Sequence, residues 1–363
     1  MPFPGSQQRS MVSFSYFMHH QIWWMRLLLY IIVSWQVLRL AVRRFKWRMV
    51  FVGLVLVLYG VVAYFLTTRL DPQRMFQMPE DPTYAAGSAN KVSPGKLVIG
   101  VVMDGEAKAY PIEIIAYHHQ IRDRVGRTDI LVTYCSLCRS ARVYDPRVQG
   151  QKTHFRLVGI DMYNAMMEDD VTGSWWQQAS GVAVAGKAKG EKLTEIPAQQ
   201  MTLDAWSKLY PNTLVLQADE KFLKQYGQLA GYDEGTSGNS LESRDMVTGA
   251  ARSWVAVASV RGVKRSYDWT TLEQQHILQD TLNGKAIAIT LAVDGKSFFG
   301  ISRQLGDQVL DLTYAKPDML RDTKTSSTWS ITGKCISGCD STVQLESISV
   351  TQEYFHSFQH FGR

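Results

Sequence analysis

The sequence predicts a mainly β fold with short helices, an α+β protein whose β-rich domain is internally duplicated and stands behind an N-terminal transmembrane anchor. Three observations carry this expectation. An uncharged apolar stretch, residues 49–66, follows a run of basic residues. The rest of the chain breaks into short apolar segments separated by Gly, Asn, Asp and Pro, the punctuation of strands and turns. The spacing of residues in the second half repeats that of the first, as a duplicated unit would.

The apolar stretch MVFVGLVLVLYGVVAYFL holds no charged side chain. At ~1.5 Å per residue, such a helix nearly crosses a hydrocarbon core of ~30 Å. Its flanks are polar, so a membrane is the expected solvent. The earlier run 23–38 is interrupted by Arg26 and Gln36. It fits a second, short span or an amphipathic helix in the interface, and the span is marginally favoured. Between the runs lie Arg39, Arg43, Arg44, Lys46 and Arg48 with no acidic residue. Loops of this kind stay cytoplasmic. Everything after Thr67 is then extracytoplasmic, which predicts an inner-membrane protein with a periplasmic domain. The formal net charge of +6 is largely this cluster. No small-residue cleavage site follows, so the anchor is expected to be retained. Membrane lipid and partner membrane proteins, a respiratory-type complex among them, are the expected partners. No basic-aromatic stripe points to nucleic acid.

The expected layout is a tail over 1–22, a membrane region over 23–66 and a linker over 67–95. A first β-rich unit over 96–217 is followed by a linker or insertion over 218–252. A second, degenerate unit spans 253–350 and a tail 351–363. Within the first unit, 97–103 and 107–110 form a hairpin about Asp104-Gly105, and Pro111 opens a helix over 112–120. Strands 130–134 and 141–144 flank a Cys-x-x-Cys corner. The duplication rests on Gly105, Tyr110, His119 and Asp123, which recur as Gly262, Tyr267, His276 and Asp280 at constant spacing. At a slightly shorter offset, Asp170, Ser174, Gly181, Gly186, Leu193 and Ile196 recur as Asp322, Ser326, Gly333, Gly338, Leu345 and Ile348. Cys135 and Cys138 meet Ala292 and Gly295, so any active centre belongs to the first unit and the second mainly supports it. His119 meets His276 and reads as structural in both, whereas His118 meets Gln275 and is the better chemical candidate.

Cys135-Ser-Leu-Cys138 fits three chemistries. It could exchange electrons as a dithiol, bind a soft metal, or tie the corner as a disulfide. The metal reading is favoured, with copper ahead of zinc, through Cys135, Cys138, His118 and His119. Met166 and Met167 are possible thioether ligands. Cys335 and Cys339, separated by Ile-Ser-Gly, read most simply as a local disulfide, with a four-cysteine site as the other option. Tyr163-Asn164 and Trp175-Trp176 line a pocket or fill a core. Asp161, Glu168, Asp169 and Asp170 offer carboxylates, but no spacing singles out an acid–base pair. Nucleophile elbow, HExxH, phosphate loop and GxGxxG are all absent.

The run DGEAKAYPIEII, His118, LVTYCSLCRSARVYD, Tyr163-Asn164 and the pattern Asp170, Trp176, Gly181, Gly186 resemble a family catalogued as domain of unknown function 3179. The resemblance is close over about 96–217. The family's usual Trp-His-Glu is here Tyr117-His118-His119, and its usual Cys-Pro-Leu-Cys-Gly is here Cys135-Ser136-Leu137-Cys138-Arg139. It supports the choice of site without implying a reaction, and whether the protein is an enzyme stays open. The expected function is soft-metal binding in metal handling, or as accessory to a membrane complex. A thiol–disulfide oxidoreductase and a non-catalytic structural subunit with structural disulfides are the alternatives.

Overall fold

A computed structural model describes residues 7, 10–42, 46–68, 71–79, 81–234 and 253–362. Arg43, Arg44 and Arg69, and residues 235–252 of the expected insertion, lie outside the described residues.

Two long helices come first, α1 (Val12–Val42) and α2 (Lys46–Thr68), packed against each other. The weight falls differently from the expectation. Among the described residues, Val12–Arg39 of α1 is the helix long and apolar enough to cross a membrane, and the apolar part of α2, Met49–Phe65, is shorter. The reason is local: α1 starts well before its tryptophans, so the run interrupted by Arg26 sits inside a longer helix. Both helices turn large apolar side chains outward, Trp23 being 75% exposed. Residues 12–22, expected as part of a tail, form the first turns of α1 and lie on the β-rich part of the chain. Tyr16 donates its hydroxyl to the Gly173 carbonyl at 3.1 Å, and the rings of Tyr16 and His19 meet Trp175 edge-on.

The rest is a mixed α and β structure whose sheets are almost wholly antiparallel, as the short alternating segments predict. In the first part, Leu97–Met103 pairs with Glu106–Pro111 across the Asp104-Gly105 turn, where φ is positive at both residues. That hairpin sits in a five-stranded sheet completed by Tyr84–Ala85, Leu214–Leu216 and Gln199–Thr202. Gly100 is there because Trp206 lies flat against the sheet: a Cβ would stand 2.2 Å from its ring. Pro111 leads into the helix Ile112–His118, which ends when His119 turns left-handed at φ 61°. The chain then runs through a three-stranded sheet of Gln120–Val125, Thr128–Cys135 and Ser140–Tyr144. A four-stranded sheet of Phe155–Asp161, Asn164–Asp169, Trp175–Gln177 and Ala183–Ala185 follows.

The second part has a six-stranded sheet in the order Val263–Asp268, Trp254–Val260, Ser347–Tyr354, Phe298–Ser302, Lys285–Leu291, Ile277–Leu282. A four-stranded sheet runs from Leu312–Lys316 to Cys335–Ser337. Of residues 351–363, expected as a tail, 351–354 instead finish the strand Ser347–Tyr354 and the helix Phe355–Phe361 follows.

Several local geometries occur once in each part. The helix Trp269–Gln275 ends on His276 at φ 58°, as Ile112–His118 ends on His119. His119 and His276 each accept an amide on the backbone carbonyl, from Tyr134 and Leu291, and each Nδ1 lies near that same residue's carbonyl. The Tyr110 hydroxyl reaches Asp123 at 2.6 Å, and that of Tyr267 reaches Asp280 at 2.8 Å. The amide of Cys138 bonds the carbonyl of Cys135, and that of Gly295 bonds Ala292. At the acidic turn the register differs by one from the expected spacing. Asp169, not Asp170, matches Asp322: each carboxylate accepts from a Thr three residues on, Thr172 and Thr325.

Candidate active site: a buried dithiol corner

The strand Thr128–Cys135 is buried at every position but its first, so it delivers Cys135 deep into the fold. The next residues turn back, with the Cys138 amide bonded to the Cys135 carbonyl at 3.2 Å, and Ser140 pairs with Cys135 as the next strand begins. Cys135 and Cys138 are 1% and 0% exposed and carry free thiols. They pack with Leu131, Tyr144, Phe155, Met167 and Trp176.

A second turn covers them. Met162 and Tyr163 both have positive φ, 49° and 64°, the conformation of a two-residue hairpin loop whose twist suits the flanking strands. This aims the Tyr163 carbonyl at the pair, 3.4 Å from each sulfur. Asn164 follows, fully buried, and its amide nitrogen lies 3.5 Å from Cys138 Sγ while also donating to Gln178 Oε1. Gln178 receives the Ser140 hydroxyl and donates to Thr133 Oγ1, which locks the two strands to the turn. Tyr163 and Asn164, expected to line a pocket or fill a core, thus stand against the cysteine corner.

The two thiols are inequivalent. Burial pushes the Cys135 thiol up, but hydrogen bonds from the Cys138 side chain and from the backbone at Ala165, Cys138 and Leu137 outweigh it and hold Cys135 below its ordinary value. Burial, the bond to Cys135 and the charge on Cys135 push Cys138 well above. One sulfur is favoured as thiolate and the other as thiol.

The remaining walls come from far along the chain. Tyr354 donates its amide to the Cys138 carbonyl at 2.9 Å. Ser357, in the last helix, donates to Glu353 at 2.6 Å. Glu353 accepts from Arg142 Nη2 at 3.0 Å, both side chains being buried. Arg139 takes a left-handed backbone, φ 53°, where the family pattern usually has Gly. Its buried guanidinium donates to Gln352 Oε1 and to the carbonyls of Tyr232 and Asp233, and stacks 3.7 Å from the Trp254 ring.

The histidines do not join this corner. His118 points to the Gln77 carbonyl and to the Tyr226 hydroxyl, the latter at 2.6 Å, with Phe222 edge-on. His119 binds the Tyr134 carbonyl and Phe76. Burial lowers both imidazoles, His119 to about 4. Among the described residues no group of three or more His, Cys, Asp or Glu is placed to hold a metal ion. The expected metal set of Cys135, Cys138, His118 and His119 is therefore not assembled. The physical cause is the left-handed turn at His119, which ends the helix and sends the two rings to separate packing partners. The methionines divide by strand alternation, Met167 packing with the cysteines and Met166 with Trp175. Cys335 and Cys339 are joined in a local disulfide, as expected.

Sequence reasoning missed Arg139, Arg142, Gln178, Glu353 and Ser357. Only Arg139 carried a signal, being a residue with a Cβ where the pattern has Gly.

Fold and corner together define a β-rich thiol protein, two antiparallel sheet systems meeting around one pair of free cysteines. The chain belongs to the family described as protein of unknown function DUF3179, whose profile matches residues 79–362. The match reaches well past the 96–217 segment that carries the motifs and takes in both β-rich parts. No curated protein and no solved structure matches the chain.

Proposed function

We propose that this protein is a membrane-anchored, extracytoplasmic thiol–disulfide oxidoreductase acting through Cys135 and Cys138. The observation that carries the reading is the contrast between the cysteine pairs. Cys335 and Cys339 are closed, while Cys135 and Cys138 are free thiols of unequal acidity that share the Tyr163 carbonyl, 3.4 Å from each sulfur. Sequential exchange needs that inequality: a thiolate to attack and a thiol to resolve. Cys135 attacks a disulfide of a partner protein, releasing one partner thiolate and forming a mixed disulfide. Cys138 then attacks Cys135 Sγ, closing the pair and releasing the second partner thiol. Two cysteines are oxidised and one disulfide is reduced. Because both sulfurs are buried, exchange requires the Met162-Tyr163 turn to open.

The full chain in detergent, equilibrated in thiol–disulfide buffers, tests this. The pair is expected to titrate reversibly as a two-electron couple that Cys135→Ser abolishes, with the Cys335–Cys339 pair unaffected. A pair that stays reduced across the whole range sinks the reading. Such an outcome favours a non-catalytic subunit, which the burial of both thiols also supports. Stoichiometric copper or zinc lost in Cys138→Ser would return the metal reading.

For the anchor, the proposal is a helical hairpin in the inner membrane, with lipid on its apolar faces and partner membrane proteins within reach. The packing of α1 on α2 and the contacts of Tyr16 and His19 with the β-rich part support an arrangement in which both ends of the hairpin share the domain's side. The basic loop then lies on the other side, as positive-inside bias favours. The matched turns, caps and tyrosine–aspartate bonds support duplication of one unit, over about 96–217 and 253–350. Reporter fusions at residue 44 and at the C-terminus should report opposite sides; the same side for both would overturn this topology.

A further inference from the structure

We propose, resting on the oxidoreductase reading, that the residues leading into α1 and the first turns of that helix form a strap over the dithiol corner, and that lifting this strap is what exposes Cys135. Gln7, Ser10 and Tyr16 are its fastenings, and the Met162-Tyr163 turn is the cover they hold shut.

The strap's contacts fall on the turn itself and on the strands that flank it. Gln7 Oε1 accepts the Tyr163 amide at 3.2 Å, and the Ser10 hydroxyl donates to Asp161 Oδ2 at 3.2 Å. These two partners bracket Met162. The Tyr163 carbonyl is the group that stands 3.4 Å from both sulfurs. One residue is therefore held through its amide by the strap while its carbonyl covers the cysteines. Further along α1, Tyr16 donates to the Gly173 carbonyl at 3.1 Å, its ring meets Trp175 edge-on, and His19 Nε2 lies 3.8 Å from Glu168. Val12 and Tyr16 pack on Met166, Trp175 and Ala185. Met166 alternates with Met167, which packs with Cys135 and Cys138 on the other face of the strand Asn164–Asp169. A single strand thus separates the strap from the dithiol.

The length of α1 lets it do both jobs. Its 31 residues span ~46 Å at ~1.5 Å each, against a hydrocarbon core of ~30 Å, which leaves about ten residues over. Trp23 and Trp24, 75% and 69% exposed, suit the interface on the domain's side, so the turns before them stand clear of the lipid and meet the domain. The fastenings are also weak enough to release. Each is a single side-chain hydrogen bond, and Ser10 lies at the surface. Such a bond contributes about a fivefold factor to an equilibrium. The strands beneath are held independently by the backbone pairing of Phe155–Asp161 with Asn164–Asp169. Anchor and dithiol are thereby coupled: whatever draws the start of α1 away from the domain frees the turn.

The experiment uses the full chain in detergent, Cys135 and Cys138 reduced, with dipyridyl disulfide as the oxidant. The Cys135 thiolate attacks one sulfur of the reagent, forming a mixed disulfide and releasing a first pyridinethione. Cys138 then attacks Cys135 Sγ, closing the pair and releasing the second, so two thiols are oxidised and one reagent disulfide is reduced. Gln7→Ala, Ser10→Ala and Tyr16→Phe each remove one fastening, the last keeping its ring against Trp175. Each should speed the first release about fivefold, and the three together about 100-fold. Leu345→Ala, which loosens the buried core of the second part, should leave the first release within about twofold of wild type. A first release that the triple variant leaves unchanged, or that Leu345→Ala speeds as much, overturns the strap while leaving the exchange reading standing. No release from wild type or from the triple variant, with both thiols reacting once the chain is unfolded in urea, sinks the exchange reading and the strap with it.

Discussion

Arg139 offers the sharpest test of how the corner is held. Its guanidinium is 1% exposed and donates to Gln352 Oε1 at 3.0 Å, the Tyr232 carbonyl at 2.9 Å and the Asp233 carbonyl at 2.8 Å. It also lies 3.7 Å above the Trp254 ring. Hydrogen bonds to a charged group contribute ~1.5–3 kcal/mol each, and a desolvated cation–π contact up to ~2 kcal/mol. These contributions do not add fully, because Gln352 Oε1 keeps a second donor in Gln200 Nε2. Arg139→Ala should cost about 4 kcal/mol, the scale of breaking a buried charged network. Arg139→Gly removes the same contacts but suits the left-handed backbone at φ 53°. It should therefore be about 1 kcal/mol more stable than Arg139→Ala, the strain an L residue feels there. Urea unfolding of the full chain in micelles, followed by tryptophan fluorescence, measures both. Arg139→Ala within about 1 kcal/mol of wild type would refute the bracing role. Arg139→Gly no more stable than Arg139→Ala would refute the backbone argument.

Two further outcomes follow from the same geometry. Burial holds the His119 imidazole down at about 4 in the folded chain against an ordinary 6.5, so the unfolded chain binds the proton first as pH falls. Stability should decline as pH drops from about 6.5 toward about 4 and level off below, and His119→Asn, which keeps a donor and tolerates the left-handed turn, should remove this component; an unchanged pH profile in that variant would refute the assignment. The Cys335–Cys339 disulfide closes a short loop, so replacing both with Ser should cost about 2 kcal/mol, seen as a lower urea midpoint, and leave the reversible thiol–disulfide titration of the other pair unchanged.

Local signals were legible in the sequence wherever local chemistry decides the structure. The hairpin at Asp104-Gly105, the helix after Pro111, the strands around Cys135 and the Cys335–Cys339 disulfide are set by turn residues, alternation and short spacing. The cysteine corner was found because CxxC is compact. Its surroundings were not, because they come from pairs such as Arg142 and Glu353, 211 residues apart, whose meeting depends on how two sheet systems pack. The histidines were misassigned for a related reason. Sequence placed His118 and His119 near the corner, but ring direction depends on one left-handed residue that no periodicity predicts. Residues 351–363 read as a tail because a short strand end and a short amphipathic helix carry little pattern of their own.

The second β-rich part is more than a support for the first. Had it served only to prop the cysteine unit, its contacts would fall on the outside of that unit's core. Instead Tyr354 bonds the Cys138 carbonyl, and Gln352 and Glu353 take the two buried arginines that flank the corner. Arg139 and Arg142 lie just after the second cysteine, one facing Trp254 and the other Glu353, so the turn is gripped on both sides by the C-terminal strand's own sheet. Two charges buried there would be unstable in the first part alone, since removing the partner of a buried ion costs about 3–5 kcal/mol. The corner therefore takes this form only with both parts docked, and both parts fall within the family match over residues 79–362.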